Sequence, residues 1–174
     1  MRLGVGVSSA SDPLTRQLEM WQPRTLLGVG DEASGLLRDF SEAKADCVLE
    51  IVETQSVEER LLSLQSEQRY DFALVAGYLE QVESAQGSAV IARLRDVLVR
   101  RLCVIVRTGK ETERETSWSD AELSAFGLTL LSRFDDGGKT ARLFGFDIAS
   151  YKQTPDWLSS RHWAHPERWG KFRW

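Results

Sequence analysis

The stretch that decides the fold spans residues 71–76, with the sequence DFALVA, in which only the first residue is polar. A strand that faces water on one side alternates apolar and polar residues, whereas a strand of a parallel sheet covered on both faces is apolar almost throughout. The stretch LCVIV at residues 102–106 has the same character. The sequence therefore predicts a sheet with helices packed against both of its faces.

Outward from this stretch, strand patterns alternate with helix patterns four times. The chain then closes with two strands joined by Asp135-Asp136-Gly137-Gly138, a composition typical of hairpin turns. Alternation of this kind predicts an α/β protein with a mostly parallel sheet. The predicted strands span 25–30, 47–52, 71–76, 102–106, 128–134 and 140–148. The predicted helices span about 13–21, 33–44, a segment that begins at 56, 88–100 and 119–127.

Local signals place the helix starts. Asp12 followed by Pro13 predicts a helix with an aspartate N-cap and proline at its first position. Ser56 with Glu59, and Ser119 with Glu122, each match the capping-box pattern, in which the serine and the glutamate cap each other's backbone amides.

Composition bounds the function. The 174 residues suit one domain, and a net charge of −4 gives no overall attraction to nucleic acid or to an anionic membrane. The only cysteines, Cys47 and Cys103, lie in apolar strand patterns, so we expect small core residues in a reducing cytoplasm. No apolar run has the length of a signal peptide or a membrane span, and no metal site is predicted.

Three passages carry a family resemblance. LLGVG at 26–30 is a strand that enters a glycine turn, YDFALVAGYLEQV at 70–82 is a strand with its following loop, and the segment 119–127 precedes the closing hairpin. In this order they resemble the class I S-adenosylmethionine-dependent methyltransferase domain, over residues 23–151.

The resemblance implies a three-layer α/β/α sandwich that ends in an antiparallel hairpin. The strand order, numbered along this chain, would be 2-1-3-4-6-5. The family's usual third strand would be missing, because residues 53–70 leave room for little more than one helix.

The resemblance also implies cofactor-binding residues. Gly28 and Gly30 form the turn beside the cofactor, and Gly77 lies in the loop after the third predicted strand. An acidic residue after the second strand binds the ribose hydroxyls in this family. Glu53 is placed for that role, with Glu50 as the alternative.

The chain departs from the family pattern at several positions. Glu32, next to Asp31, replaces the third glycine, and two carboxylates there would repel the carboxylate of the cofactor. Leu26 stands where an acidic residue is typical, and Gln81 where many members have histidine. We therefore expect a non-catalytic binding or interaction module, or alternatively an active methyltransferase that acts on a small molecule or a protein. Binding of S-adenosylmethionine and the absence of any cofactor both stay open.

Two other interpretations of the turn stay open as well. Gly28 to Ala33 fits the dinucleotide-binding fingerprint, with Glu53 about 20 residues beyond it. The turn could also be a tight strand-to-helix connection that binds nothing. Glu80 could act as a general base if a substrate approached it, and the alternative, which we favour, is a solvated loop acid.

The segment 152–174 differs from the rest, which we treat as one domain spanning 1–151. It has five basic and two acidic residues, a net charge of +3, and it contains Trp157, Trp163, Trp169 and Trp174. We expect this basic tail to pack on the domain, because buried indoles remove much apolar surface from water. A homo-oligomer interface is the alternative, and nucleic-acid binding is disfavoured by the acidic body. The tail also resembles an uncharacterised bacterial protein family.

Overall fold

In the computed structural model, one mixed sheet of six strands organises the chain, and the structure describes residues 11–64, 69–108, 118–136 and 139–150. The strand order is β2-β1-β3-β4-β6-β5, as predicted. The first four strands along the chain are parallel, and β6 is antiparallel to both β4 and β5. The predicted α/β class and closing hairpin are therefore confirmed. The strands are β1 (Thr25–Val29), β2 (Val48–Val52), β3 (Phe72–Val75), β4 (Arg101–Thr108), β5 (Thr129–Asp136) and β6 (Lys139–Asp147).

The helices contribute to two core clusters, which draw on alternate residues of the strands because successive strand residues point to opposite faces. Leu14, Leu18 and Leu37 join one core cluster, which includes Phe72 and Cys103. The other cluster contains residues of the remaining three helices. The helices are α1 (Ser11–Trp21), α2 (Ala33–Glu42), α3 (Val57–Ser63, after a 3₁₀ turn at Thr54–Ser56), α4 (Ser84–Arg93, continued by a π-helical turn at Leu94–Leu98) and α5 (Asp120–Ala125). The second cluster draws Leu61, Ile91 and Leu123 from α3, α4 and α5.

Two helix starts differ from the prediction. In the described part of α1, Ser11 and Asp12 are already helical, whereas the sequence predicts Asp12 as the N-cap. Helix α4 begins at Ser84, four residues before the predicted start, and it includes Gly87. A Cβ at Gly87 would lie 2.7 Å from Trp118, so the glycine allows this indole to pack against the helix.

The capping boxes have different outcomes. At α5 the box is formed: the Glu122 amide donates to Ser119 Oγ at 3.2 Å, and the Ser119 amide donates to Glu122 Oε2 at 2.8 Å. At α3 the prediction is wrong, because Ser56 Oγ instead donates back to the Glu53 carbonyl at 3.1 Å.

The cysteines also differ from each other. Cys103 is buried in β4, as expected, and burial raises the pKa of its thiol. Cys47 is only half-buried and precedes β2, and burial again raises its pKa. Within the described residues, no helix combines the length and the apolar character that crossing a membrane requires. The predictions for the tail 152–174 fall outside the described residues.

Candidate functional site

The loops after β1, β2 and β3 meet at the carboxyl edge of the sheet. The chain leaves β1 towards β2 on one side, while β3 lies on the other side. Such a switch point is where open α/β sheets bind ligands. Three of the four predicted cofactor residues lie in these loops, and Gly28 lies in β1.

Close contacts between loops explain the turn glycines. Gly30 has a φ of +97°, and its amide donates to the Val52 carbonyl at 2.9 Å. A Cβ there would overlap the Ala76 carbonyl oxygen and lie 2.9 Å from the Cβ of Tyr78. At Gly28 a Cβ would lie 2.5 Å from Ile51 Cδ1. The space beside both glycines is therefore filled by this chain's own atoms.

The Glu32 side chain covers Gly77, the predicted cofactor glycine in the loop after β3. Gly77 has a φ of +71°, and a Cβ there would lie 2.8 Å from Cγ of Glu32. The Glu32 carboxylate forms an ion pair with Arg107 at the end of β4, at 2.5 Å. The Glu32 side chain thus lies across the edge of the sheet, from the β1 turn over the β3 loop to β4.

Asp31 connects the other loops. Its Oδ1 accepts hydrogen bonds from the Thr54 hydroxyl at 2.9 Å and from the Thr54 amide at 3.3 Å. Its Oδ2 accepts from the Gln81 side chain at 3.2 Å, and Gln81 also donates to the Gly77 carbonyl. The bonds from Thr54 and Gln81 lower the pKa of Asp31, so it is ionised at neutral pH. Gln81, which stands where many members of the methyltransferase family have histidine, therefore helps to hold the loops together at this edge.

Glu80 is the most enclosed carboxyl group of the site. Its Oε1 accepts from the Arg107 amide at 2.9 Å, whereas its buried Oε2 has no hydrogen-bond partner. Burial raises its pKa, an effect that the Arg107 amide and guanidinium oppose. A raised pKa suits general acid–base chemistry. Its buried Oε2, however, is not accessible to solvent.

The two candidate ribose-binding acids have different surroundings. Glu53 follows β2 directly, is exposed, and accepts a hydrogen bond from the Gln55 side chain at 3.0 Å. Glu50 is held by Arg60 at 2.6 Å and by the Tyr70 hydroxyl. Burial and Glu50 raise the pKa of Tyr70 to about 12, so its hydroxyl stays a donor. Of these two acids, Glu53 is therefore the one left accessible.

The start of α2 offers a ligand few free donors. The Glu32 amide donates to the Ala76 carbonyl, and the Ala33 amide donates to the Gly30 carbonyl, each at 3.3 Å. Four cavities of about 210–570 Å³ lie elsewhere among the described residues, and the lining of none of these four includes a predicted cofactor residue. At the turn itself, the amides of Glu32 and Ala33 already have partners within the chain.

Sequence reasoning identified the turn, but it missed the bonds between loops. Thr54 and Arg107 carry no motif, and their partners lie 23 and 75 positions away in sequence. The available signal for these bonds is the acidic pair Asp31 and Glu32, which by itself predicts only repulsion of the cofactor's carboxylate.

The model of the family of unknown function DUF6231 matches residues 8–174. The chain belongs to this family. Curated proteins contain no match to the sequence.

Several solved structures are similar to this chain in fold, each at low sequence identity. Magnesium protoporphyrin IX methyltransferase from Synechocystis PCC 6803, with bound S-adenosylmethionine, is 14% identical with a TM-score of 0.54, over 76% of this chain and 74% of that one. The N-terminal domain of EvdMO1, with bound S-adenosylhomocysteine, is 12% identical with a TM-score of 0.54, over 80% and 82%. The 1,6-didemethyltoxoflavin-N1-methyltransferase of Burkholderia thailandensis is 14% identical with a TM-score of 0.51, over 78% of each chain. This DUF6231 chain thus has a methyltransferase-like fold.

Proposed function

We propose that this DUF6231 protein is a methyltransferase-like binding or interaction module that does not transfer methyl groups. The observation that supports the proposal is the position of Glu32. Its side chain lies over Gly77, and its carboxylate pairs with Arg107. A cofactor could lie against this glycine only if the side chain left and the ion pair broke.

The charges at the turn favour the same proposal. Glu32 puts a carboxylate where the methyltransferase family has glycine, Asp31 adds a second one beside it, and Arg107 pairs with Glu32. Asp31 is fixed by Thr54 and Gln81, so it cannot turn away without losing hydrogen bonds. The carboxylate of S-adenosylmethionine would meet like charge there, and like charges at close range repel strongly when water is excluded.

The proposal extends to the sheet. We take the fold as the three-layer sandwich of the methyltransferase family without its third strand. Strand β2 is then an edge strand of the described sheet, with no neighbour on the side where the family's third strand would lie. A bacterial cytoplasm is the proposed location. Both proposals rest on the resemblance and on the cysteine pattern.

A second candidate function is an active S-adenosylmethionine-dependent methyltransferase that acts on a small molecule or a protein. Glu53 favours it, because its carboxylate is exposed directly after β2, where the family binds the ribose hydroxyls. The nicotinamide alternative has less support, because Asp31 and Glu32 would lie against the pyrophosphate at a helix N-terminus.

Calorimetric titration of the full chain with S-adenosylmethionine and with S-adenosylhomocysteine tests the proposal. We expect no saturable heat from either compound with the wild-type protein. Saturable binding that is lost in Glu53→Gln and kept in Glu50→Gln would contradict the proposal and support the active enzyme. The Glu50→Gln control keeps its place in β2 and tests an acid that Arg60 and Tyr70 already hold.

A further inference from the structure

A cavity of about 570 Å³ lies away from the candidate site, between α1 and the β5–β6 hairpin. Met20 and Trp21 line it from α1, and Leu131 and Phe146 line it from the hairpin. It lies next to the start of β4, because Asp147 in its lining pairs with Arg101. The carboxyl edge with Glu32 is at the opposite end of the strands.

Apolar side chains at this cavity are left open to water. Met20 is 64% exposed and Leu131 is 39% exposed, and Ile148, which lies between the lining residues Asp147 and Ser150, is 45% exposed. These three are most of the five large hydrophobic residues that are exposed among the described residues. Scattered exposed apolar residues are ordinary, whereas a cluster of them marks an interaction surface.

The hairpin is shaped to form this surface. The β5–β6 register shifts between Leu130 and Ser132, so Leu131 is the extra residue of a bulge. A Cβ at Gly145 would lie 2.5 Å from Leu131 Cδ1, which shows that this leucine lies flat over the glycine. Bulges commonly redirect a side chain in this way. Gln17 and Thr129 add polar groups at the rim.

We infer that the tryptophan-rich tail of the same chain, residues 152–174, occupies this cavity. Ser150, the last described residue before the tail, is itself part of the lining, so the tail starts at the cavity. Trp157 is seven residues further on, a reach of at most about 25 Å. Indole side chains combine a large apolar body with one N–H donor, which suits a lining that mixes apolar side chains such as Met20 and Leu131 with polar ones.

A second groove provides the competing location. It has a volume of about 210 Å³ between α3 and α4, and Leu62, 71% exposed, lies in its lining. None of its lining residues lies near Ser150, where the tail starts. A label in this groove therefore serves as the control for labels in the cavity.

Paramagnetic broadening in the full-length chain tests the inference. A nitroxide label is attached at Met20→Cys or at Thr129→Cys, each in a Cys47→Ser background, and the comparison label is at Leu62→Cys. The readout is the set of indole N–H signals, assigned by single Trp→Phe substitutions. Trp21, adjacent to Met20, reports that the label is in place.

We expect both cavity labels to broaden at least one signal among Trp157, Trp163, Trp169 and Trp174, and the Leu62→Cys label to leave all four intact. The inference is overturned if neither cavity label affects them, or if only the label at position 62 does. Mixing isotope-labelled chains with spin-labelled, isotope-free chains separates the remaining case. Broadening in that mixture would assign the cavity to the tail of a second copy, against the inference.

Discussion

The side chain of Glu32 lies directly against Gly77, with a Cβ at position 77 placed only 2.8 Å from Cγ of the glutamate. The resemblance predicted that this glycine faces a cofactor, whereas in the structure it faces an acidic side chain of the same chain. The resulting hypothesis is that Glu32 occupies part of the cofactor's position. Glu32 could exclude the cofactor in two ways, by the volume of its side chain and by its charge.

Replacing Glu32 tests that hypothesis. Glu32→Gly removes both volume and charge, and we expect it to create or strengthen S-adenosylmethionine binding, by about tenfold for each 1.4 kcal/mol of repulsion relieved. Glu32→Gln keeps the stem over Gly77 and removes only the charge. Calorimetric titration of both variants with S-adenosylmethionine then shows whether the volume or the charge of Glu32 prevents binding. Binding by neither variant would mean that Asp31 or the proposed lack of the family's third strand, rather than Glu32, prevents it.

Gly30 is predicted to be required for folding whether or not a ligand binds. Gly30→Ala combines a φ of +97° with overlap onto the Ala76 backbone, so we expect about 2–4 kcal/mol of destabilisation. Gly35→Ala is the matched control, because Gly35 lies in α2 with no atom within 4 Å of its Cβ position. It should stabilise the protein by about 0.5–1 kcal/mol. Urea denaturation of both variants checks this, and equal midpoints would contradict it.

The two capping-box sequences predict unequal losses. Ser119→Ala removes an acceptor for the Glu122 amide and should cost about 1 kcal/mol. Ser56→Ala should cost less, because the Ser56 hydroxyl accepts no bond from the first turn of α3. Chemical denaturation of the two variants measures the difference. A larger loss at Ser56 would contradict the structure at α3.

Those serines illustrate what the sequence could predict. The alternation of strands and helices and the closing hairpin follow from patterns that persist over many residues, so one misplaced helix start does not disturb them. The strand order was implied by the family resemblance. A capping box depends on the backbone angles of one residue, and the 3₁₀ turn at Thr54–Ser56 changes those angles without altering the motif. The ion pair of Glu32 with Arg107 joins residues far apart in sequence, and no local pattern reports it.

Glu80 should make stability depend on pH. Its folded pKa is raised by burial, so the folded protein holds the proton more tightly than the unfolded chain does. This contribution to stability is complete below the unfolded pKa of about 4.3 and is lost as the pH rises through the raised folded value. Glu80→Gln keeps an oxygen for the Arg107 amide and removes this dependence. We therefore expect the variant to gain stability over wild type as the pH rises from 4 to 8.

The difference between wild type and Glu80→Gln is the quantity to follow. Asp31 and Glu122 have lowered pKa values, and they change the stability of both proteins in the opposite direction as the pH falls. Subtracting the two curves removes their common effect. A difference that does not change from pH 4 to pH 8 would show that burial leaves Glu80 unperturbed.

If the tail occupies the cavity, substitutions at exposed residues that line the cavity should change the free energy of unfolding more than substitutions at other exposed residues. If the tail covers Met20, Met20→Gln should destabilise the full chain by about 1–2 kcal/mol, because it places a polar group in a covered apolar contact. Leu62→Gln is the control on α3, where the side chain is equally exposed and substitutions of this kind change stability little. Urea denaturation of the two variants compares them.

Deleting residues 153–174 completes a double-mutant cycle with Met20→Gln. If the tail covers the cavity, the deletion alone should lower stability by several kcal/mol and promote aggregation, because it leaves the apolar side chains there without a partner. In the truncated chain, Met20→Gln should then have almost no further effect, since its partner is gone. If the tail is instead an oligomer interface, the truncated protein keeps its denaturation midpoint and changes only its size in solution. An unchanged midpoint, measured together with sizing, would therefore exclude packing of the tail on its own domain.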